Sequence, residues 1–396
     1  MDRSADVIVV GGGIVGLAVA YRLATQQRAR NVIVLEKEAS VCSHQSGRNS
    51  GVLHSGIYYK PGSLKAALCV KGRKQMEEFC ESEGVRWKRC GKVIAAVNDR
   101  EAAALAGLVE RGKANGVDCV AINRDELREL EPHCGGLSGI HVRDTGVADF
   151  KGVCDRLVAR IREKGSDIVT SAAVVKVESN TDGVHVATTA GRVSGKFLIN
   201  CAGLQSDRVA RLTGDEAPVE IVPFRGEYYT LRRPELCRTL IYPVPDPAFP
   251  FLGVHFTRGF DEHVHCGPNA VLAFAREGYT RGIISLRDLR EIFAFRGFRR
   301  MAWKHWRMGF GEQWRSFVKT AFVHSAQKLM PELRSSDLVA SSAGVRAMAV
   351  STDGAMVDDF MISRRDRVTN VLNAPSPAAT ASLAIAEVVV ERAGLG

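Results

Sequence analysis

No stretch of this 396-residue chain is apolar for long enough to cross a bilayer. The best candidate, residues 7–21, is shorter than the ~20 residues a span requires, is broken by glycines and follows Asp6. It also lacks the basic flank and small-residue cleavage site of a secretory leader. With no presequence before the first strand, the expected location is cytoplasmic, or peripheral on the cytoplasmic face of the inner membrane. The ten cysteines form no CxxC pair and no ligand spacing for zinc. They are expected to be buried thiols in a reducing compartment, with no metal site. Internal repeats, low-complexity tracts and flexible linkers are also missing, which excludes solenoids and long disordered arms.

Acidic residues are in short supply, leaving a net charge of +10. Residues 296–319 hold seven of the basic side chains (Arg296, Arg299, Arg300, Lys304, Arg307, Arg315 and Lys319) against one acid, Glu312. Trp303, Trp306, Phe310, Trp314 and Phe317 are interleaved with them. Such a helix suits an anionic lipid interface. The plainer reading is a helical pair with its aromatics in the core and its charges in water. No nucleic-acid partner is expected.

What is present in strength begins at residue 7. An apolar run over residues 7–10 enters Gly11-Gly12-Gly13-Ile14-Val15-Gly16, and Glu36 follows a second apolar run at 32–35. A continuously apolar strand is one covered on both faces of a parallel sheet. Gly11 allows the tight turn, Gly13 lets backbone approach a pyrophosphate, and Gly16 lets the helix pack close to the strand. The helix then aims its N–H groups and positive dipole end at the phosphates. Glu36 is placed to bind a ribose. This pattern specifies a dinucleotide without choosing between FAD and NAD(P).

Residues 43–59 are too polar and Gly-rich for a core element and too long for an idle turn. Ser46, Arg48, Asn49, Ser50, Gly51 and Val52 there are expected to cradle a cofactor that extends past its pyrophosphate, as FAD does. Residues 198–207 read as a strand breaking at Ala202-Gly203, where small residues admit a ligand. Gly344-Val345-Arg346 and Asn373-Ala374-Pro375-Ser376-Pro377-Ala378-Ala379-Thr380 return the chain to the same pattern. A C-terminal helix over 378–393 is expected to turn its N-terminus toward the flavin. Helices are expected at 62–83, 100–115, 125–130, 151–164 and within 285–330, and strands at 92–97, 167–170, 173–179, 184–189 and 196–200. Residues 220–273 suggest an antiparallel sheet.

These blocks, in this order, resemble the D-amino-acid-oxidase-type superfamily of FAD oxidoreductases. Further strings narrow the likeness: Tyr59-Lys60-Pro61-Gly62-Ser63-Leu64-Lys65-Ala66, Pro223-Phe224-Arg225-Gly226-Glu227-Tyr228, Ile241-Tyr242-Pro243-Val244-Pro245-Asp246-Pro247 and Gly267-Pro268-Asn269-Ala270-Val271-Leu272-Ala273-Phe274. With residues 373–380 they resemble the L-2-hydroxyglutarate oxidase/dehydrogenase family over essentially the whole chain. The resemblance implies a mixed α/β fold, a Rossmann-like FAD-binding domain (1–90, 140–220, 335–396) interleaved with an antiparallel-sheet substrate domain (91–139, 221–334). It implies oxidation of L-2-hydroxyglutarate to 2-oxoglutarate by hydride transfer from Cα to flavin N5, with oxygen or a membrane quinone as electron acceptor. The alternatives are another superfamily oxidoreductase acting on a glycine-like amine or glycerol phosphate, and a non-catalytic flavin-binding membrane protein.

The expected cofactor contacts, to a non-covalently held FAD, are Gly11, Gly13, Ile14, Val15, Gly16, Glu36, Lys37, the loop residues just named, Val174, Val175, Ala202, Gly203, Gly344, Arg346 and Pro377 to Thr380. A dianionic substrate calls for guanidinium forks, for which Arg225 and Arg346 are the candidates. The proton acceptor is expected to be His54 or His255, since imidazole suits neutral pH. Tyr58, Tyr59, Tyr228, Tyr242 and Asn269 are expected to bind substrate.

Overall fold

In a computed structural model, the chain is described from residue 2 to 396 except for Gln27, Arg30 and residues 247–252, and without the side chains of Arg307, Met308, Phe310, Glu312, Arg315 and Phe317. Pro247 of the motif above and Arg307, Phe310, Glu312, Arg315 and Phe317 of the basic segment lie outside the described side chains.

Strand β1 (Arg3–Val10) starts earlier than its apolar run, and the run itself, Val7 to Val10, is buried. It lies between two parallel neighbours, β2 (Val32–Leu35) and the strand Gly191–Asn200. This is why its side chains are apolar on both faces. Asp167–Val169 extends the parallel set beyond β2. The strand expected at 196–200 is twice that length. Its first half pairs with Val184–Thr188 and its second with Val368–Asn373, so two partners share one edge. Helices α1 (Ile14–Thr25), Phe150–Glu163 and Ala378–Arg392 pack on one face of this sheet. The hairpin Val174–Ser179/Val184–Thr188 and the helix Ser206–Leu212 cover the other.

The second large sheet is mostly antiparallel. Its order is Leu338–Ala340, Tyr229–Leu231, Val264–Gly267, His255–Arg258, Leu240–Pro243, Lys92–Ala96, Ser138–Val142 and Cys119–Ile122. Only the pairing of Leu240–Pro243 with Lys92–Ala96 is parallel. A three-stranded sheet, with Val219–Gly226 between Val271–Leu272 and Gly344–Ser351, carries Arg225 beside Val345 and Phe224 beside Arg346. The fold is thus mixed α/β with both parallel and antiparallel sheets. The 285–330 region is three helices, Leu286–Ala294, Arg296–Phe317 and Lys319–Gln327, the middle one kinked at His305.

The cysteine expectation needs correction. Cys42 and Cys154 are joined in a disulfide between the cofactor-side loop and the helix Phe150–Glu163. Sequence spacing gives no hint of this, because the two residues meet only when that helix packs against the loop. The other eight are free thiols, all buried except the half-buried Cys90.

A buried ion cluster ties the helix Ser206–Leu212 to the segment that follows Val271–Leu272. Arg276, 1% exposed, clasps Asp207, fully buried, with both guanidinium nitrogens, Nη2 to Oδ2 at 2.8 Å. Asp207 also accepts the Ile221 N–H, and Arg276 Nη1 donates to the Leu204 carbonyl.

Candidate active site

A cavity of about 1060 Å³ runs from the Gly-rich turn to the second sheet. At its outer end, Gly13, Ile14 and Val15 form the wall at the head of α1. No side chain of the N-cap Gly13 caps that helix; Ser46 Oγ accepts the Ile14 N–H at 2.8 Å instead. The glycines have separate jobs. A Cβ on Gly11, whose φ is +108°, would stand 2.5 Å from the Cys201 carbonyl, and one on Gly16 would stand 2.0 Å from the Gly11 carbonyl. Gly16 therefore sets the distance between helix and turn from behind, without lining the cavity. Glu36 Oε2 accepts the Gly12 N–H at 2.7 Å and Oε1 the Glu38 N–H at 2.9 Å, holding the carboxylate at the cavity edge.

Lys37 also lines the cavity. Its ammonium sits among Glu38, Glu277 and His44, so this carboxylate–imidazole cluster already has its cation. Asn49 shapes the polar loop, donating to the Ser46 carbonyl and accepting the Gly51 N–H. Arg48 lays its guanidinium 4.4 Å from the Tyr279 ring centroid, and its carbonyl lies where a Cβ on Gly344 would come within 2.7 Å. Ser50, Val52, Val174, Val175, Ala202, Gly203, Gly344 and residues 377–380 are on the wall; Gly51 is not. Thr380 accepts the His54 N–H and donates to the Val52 carbonyl, fastening the loop to the first turn of the C-terminal helix. Two helix N-termini and a glycine turn that no Cβ can enter therefore face one elongated space, which fits a dinucleotide carrying a flavin.

The inner end collects His54, His255, Tyr58, Tyr59, Tyr228, Tyr242 and Arg346. It does not collect Arg225 or Asn269. Arg225 is 2% exposed and pairs with Glu227 at 3.2 Å and the Thr280 carbonyl at 3.3 Å. Asn269 is bound to Glu227 as well, donating to Oε2 and accepting the Glu227 N–H. Glu227 and the Thr280 carbonyl hold the Arg225 guanidinium away from the cavity, although its neighbour Gly226 lines it.

Burial pushes the His54 imidazole down to about 3, helped by the charge of Lys92 and by His255, Lys65 and Arg346. Burial also takes His255 to about 3, opposed by its bond to Gly253 and aided by Arg346 and Lys92. The Gly253 carbonyl lies 2.8 Å from His255 Nδ1 and can only accept, so Nδ1 carries the proton and Nε2 keeps its lone pair. The His255 ring lies against Tyr242 with centroids 4.0 Å apart and planes tilted by 32°. Sequence reasoning missed Lys65, whose ammonium lines the cavity and bonds Asp358 Oδ1 at 2.9 Å. It also missed Lys92, a buried lysine that opens a strand of the second sheet. Lys65 stands in the motif of residues 59–66, whereas nothing in the sequence around Lys92 signals its burial.

The fold and site define an FAD-dependent oxidoreductase. The chain matches the DAO family, FAD dependent oxidoreductase, over residues 6–392 and belongs to it. A solved relative in fold, the L-α-glycerophosphate oxidase of Mycoplasma pneumoniae with FAD bound, superposes with a TM-score of 0.80 at 23% identity over 99% of this chain and 95% of its own. Within that class, the chain belongs to the L-2-hydroxyglutarate dehydrogenase family. It is 46% identical over 390 residues to the L-2-hydroxyglutarate dehydrogenase of Indibacter alkaliphilus, covering 98% of each chain. It is 42% identical to that of Escherichia coli K12, over 98% of this chain and 92% of the other. It is an enzyme of the hydroxy-acid-oxidising kind, and its cofactor is FAD.

Proposed function

We propose that this enzyme oxidises L-2-hydroxyglutarate to 2-oxoglutarate. The observation that carries the reading is the full-length likeness to dehydrogenases named for that substrate. The inner cavity supports it with cations and bases in one place. FAD, when bound, takes up the two electrons and the hydrogen leaving Cα. The protein's own residues do the rest. Arg346 receives the carboxylate next to Cα, His255 Nε2 takes the hydroxyl proton, and His54 and Tyr228 close the wall around the reacting carbon. The test is anaerobic bleaching of the bound flavin by a panel of 2-hydroxy acids, glycine-like amines and glycerol phosphate. L-2-hydroxyglutarate should bleach it fastest; reduction by an amine or glycerol phosphate alone would overturn the assignment.

Because both imidazoles are held near 3, they are neutral throughout the physiological range. At saturating substrate, the rate of flavin reduction should therefore show no histidine acid limb and vary less than about threefold between pH 5 and 8. A tenfold fall on acidification through 6.5 would remove both histidines as buried bases.

The electron acceptor reading follows from the helical segment. Trp303, Trp306 and Trp314 are 83%, 59% and 60% exposed, contrary to a core-facing stripe. Among the described side chains, Phe298 and Met301 anchor the helix inward. Beside the tryptophans stand Arg299, Arg300 and Lys304. No helix among the described residues is long and apolar enough to cross a membrane. This face fits an anionic bilayer surface, and a lipid-borne quinone as electron acceptor in preference to oxygen. Vesicles containing anionic lipid should pellet the wild type at low salt, and R299E/R300E/K304E should lose at least about tenfold in the bound fraction. An unchanged bound fraction would count against membrane contact, and flavin reoxidised by oxygen faster than by quinone would count against the acceptor.

A further inference from the structure

Lys92 opens the strand Lys92–Ala96 and is 1% exposed. Its ammonium lies 4.5 Å from the Tyr58 ring centroid and 4.9 Å from that of Tyr242. Among the described residues it has these two ring faces and neither an ion pair nor a hydrogen bond. Lysines ordinarily snorkel to water or meet a carboxylate, because a buried charge without a counter-charge is strongly unfavourable. Lys92 does neither. It stands one aromatic layer behind the cavity: Tyr58 and Tyr242 are on the wall and Lys92 is not. The Tyr58 hydroxyl is itself buried without a hydrogen-bond partner among the described residues. Among the cations on the inner wall, the Lys65 ammonium is occupied by Asp358. One guanidinium fork matches one carboxylate, so a ligand with two carboxylates in the cavity calls for further positive potential.

The geometry points to Lys92 as a positioning residue whose ammonium, acting through the faces of Tyr58 and Tyr242, makes the cavity prefer a ligand with two carboxylates to one with a single carboxylate. The identity of the diacid rests on the reading above; the preference for two charges rests on Lys92. An ammonium several ångströms from a carboxylate in a protein interior is worth a factor of about ten or more in affinity.

The experiment is calorimetric binding of glutarate and of its monoamide to the FAD-loaded enzyme, wild type and Lys92→Met. Glutarate has no hydroxyl to oxidise, so the result does not depend on turnover. The wild type should favour glutarate by about tenfold or more, and Lys92→Met should lose at least that factor for glutarate and under about twofold for the monoamide. Equal losses for both ligands would mean a structural role, and no loss for either would overturn the inference. Failure of L-2-hydroxyglutarate to bleach the wild-type flavin would instead sink the substrate reading and leave this comparison intact.

A second measurement needs only the wild type. Burial lowers Lys92 to about 7, so part of the population is neutral near that pH. Of the groups around it, His54 and His255 are held near 3, the Cys69 thiol is pushed up to about 12, and burial raises Cys119, Tyr58 and Tyr242. None of these gains a proton at about pH 7.5. Arg346 and Lys65 are the remaining nearby charges. Glutarate binding at that pH, followed in two buffers of different ionisation heat, should take up a fraction of a proton, while the monoamide takes up none. Equal uptake with glutarate and with the monoamide would overturn the inference, because the second carboxylate would then not be what Lys92 meets.

Discussion

Gly16→Ala should yield a protein that no longer retains FAD through purification, with flavin per protein lowered at least about tenfold. Helix propensity argues the other way, since alanine in a helix is favoured over glycine by about 1 kcal/mol. The contact decides. The added Cβ would lie 2.0 Å from the Gly11 carbonyl and 3.3 Å from Cys201 Cβ, and the nearer atom is backbone. Gly11 cannot retreat, because its own Cα position faces the Cys201 carbonyl at a φ of +108°. The helix must back away by roughly an ångström, and overpacking of this sort costs about 1–3 kcal/mol or more. That displacement removes the head of α1 from the place where the pyrophosphate sits, so cofactor affinity falls along with stability. Flavin absorbance per protein and the melting temperature with and without added FAD check this. A variant that keeps full flavin content would show that helix and turn are not held at contact distance.

Arg276→Met should destabilise the fold by about 3–5 kcal/mol. The methionine fits the volume, but Asp207 is left as a fully buried carboxylate without its clasp. Burial alone would raise that carboxyl; the Arg276 bonds and charge, with the Ile221 N–H and Arg211, bring it below its ordinary value. A carboxyl depressed in the folded state contributes stability above its unfolded value, near 4, and loses it as the pH falls further. The variant's deficit should therefore be full at neutral pH and shrink on strong acidification. Urea unfolding monitored by tryptophan fluorescence measures it. Asp207→Leu combined with Arg276→Met should recover part of the loss, because replacing both members of a buried pair is far milder than orphaning one.

Much of the cofactor half was legible in the chain because its requirements are local. A strand buried on both faces is written as a continuous apolar run, and a turn under α1 that tolerates no Cβ is written as Gly11 and Gly16. The hairpin around residues 180–183 and the helices near 64–83, 99–114, 150–163 and 378–392 were equally local, set by periodicity and turn residues. The substrate end was read less well. Arg225 and Arg346 looked equivalent in sequence. They lie on neighbouring antiparallel strands, yet only Arg346 reaches the cavity, while Arg225 is enclosed by Glu227.

The dinucleotide fold, the order of its cofactor segments and the family can be read from the chain alone, since backbone turns and parallel strands leave marks within a few dozen residues. Packing alone shows which cations surround the inner cavity, that Cys42 meets Cys154, that the tryptophans of 303–314 face outward, and that Lys92 is buried behind two tyrosines. Those facts depend on which faces of distant elements come together. Packing and burial set them, and neither is encoded in the spacing of residues along the chain.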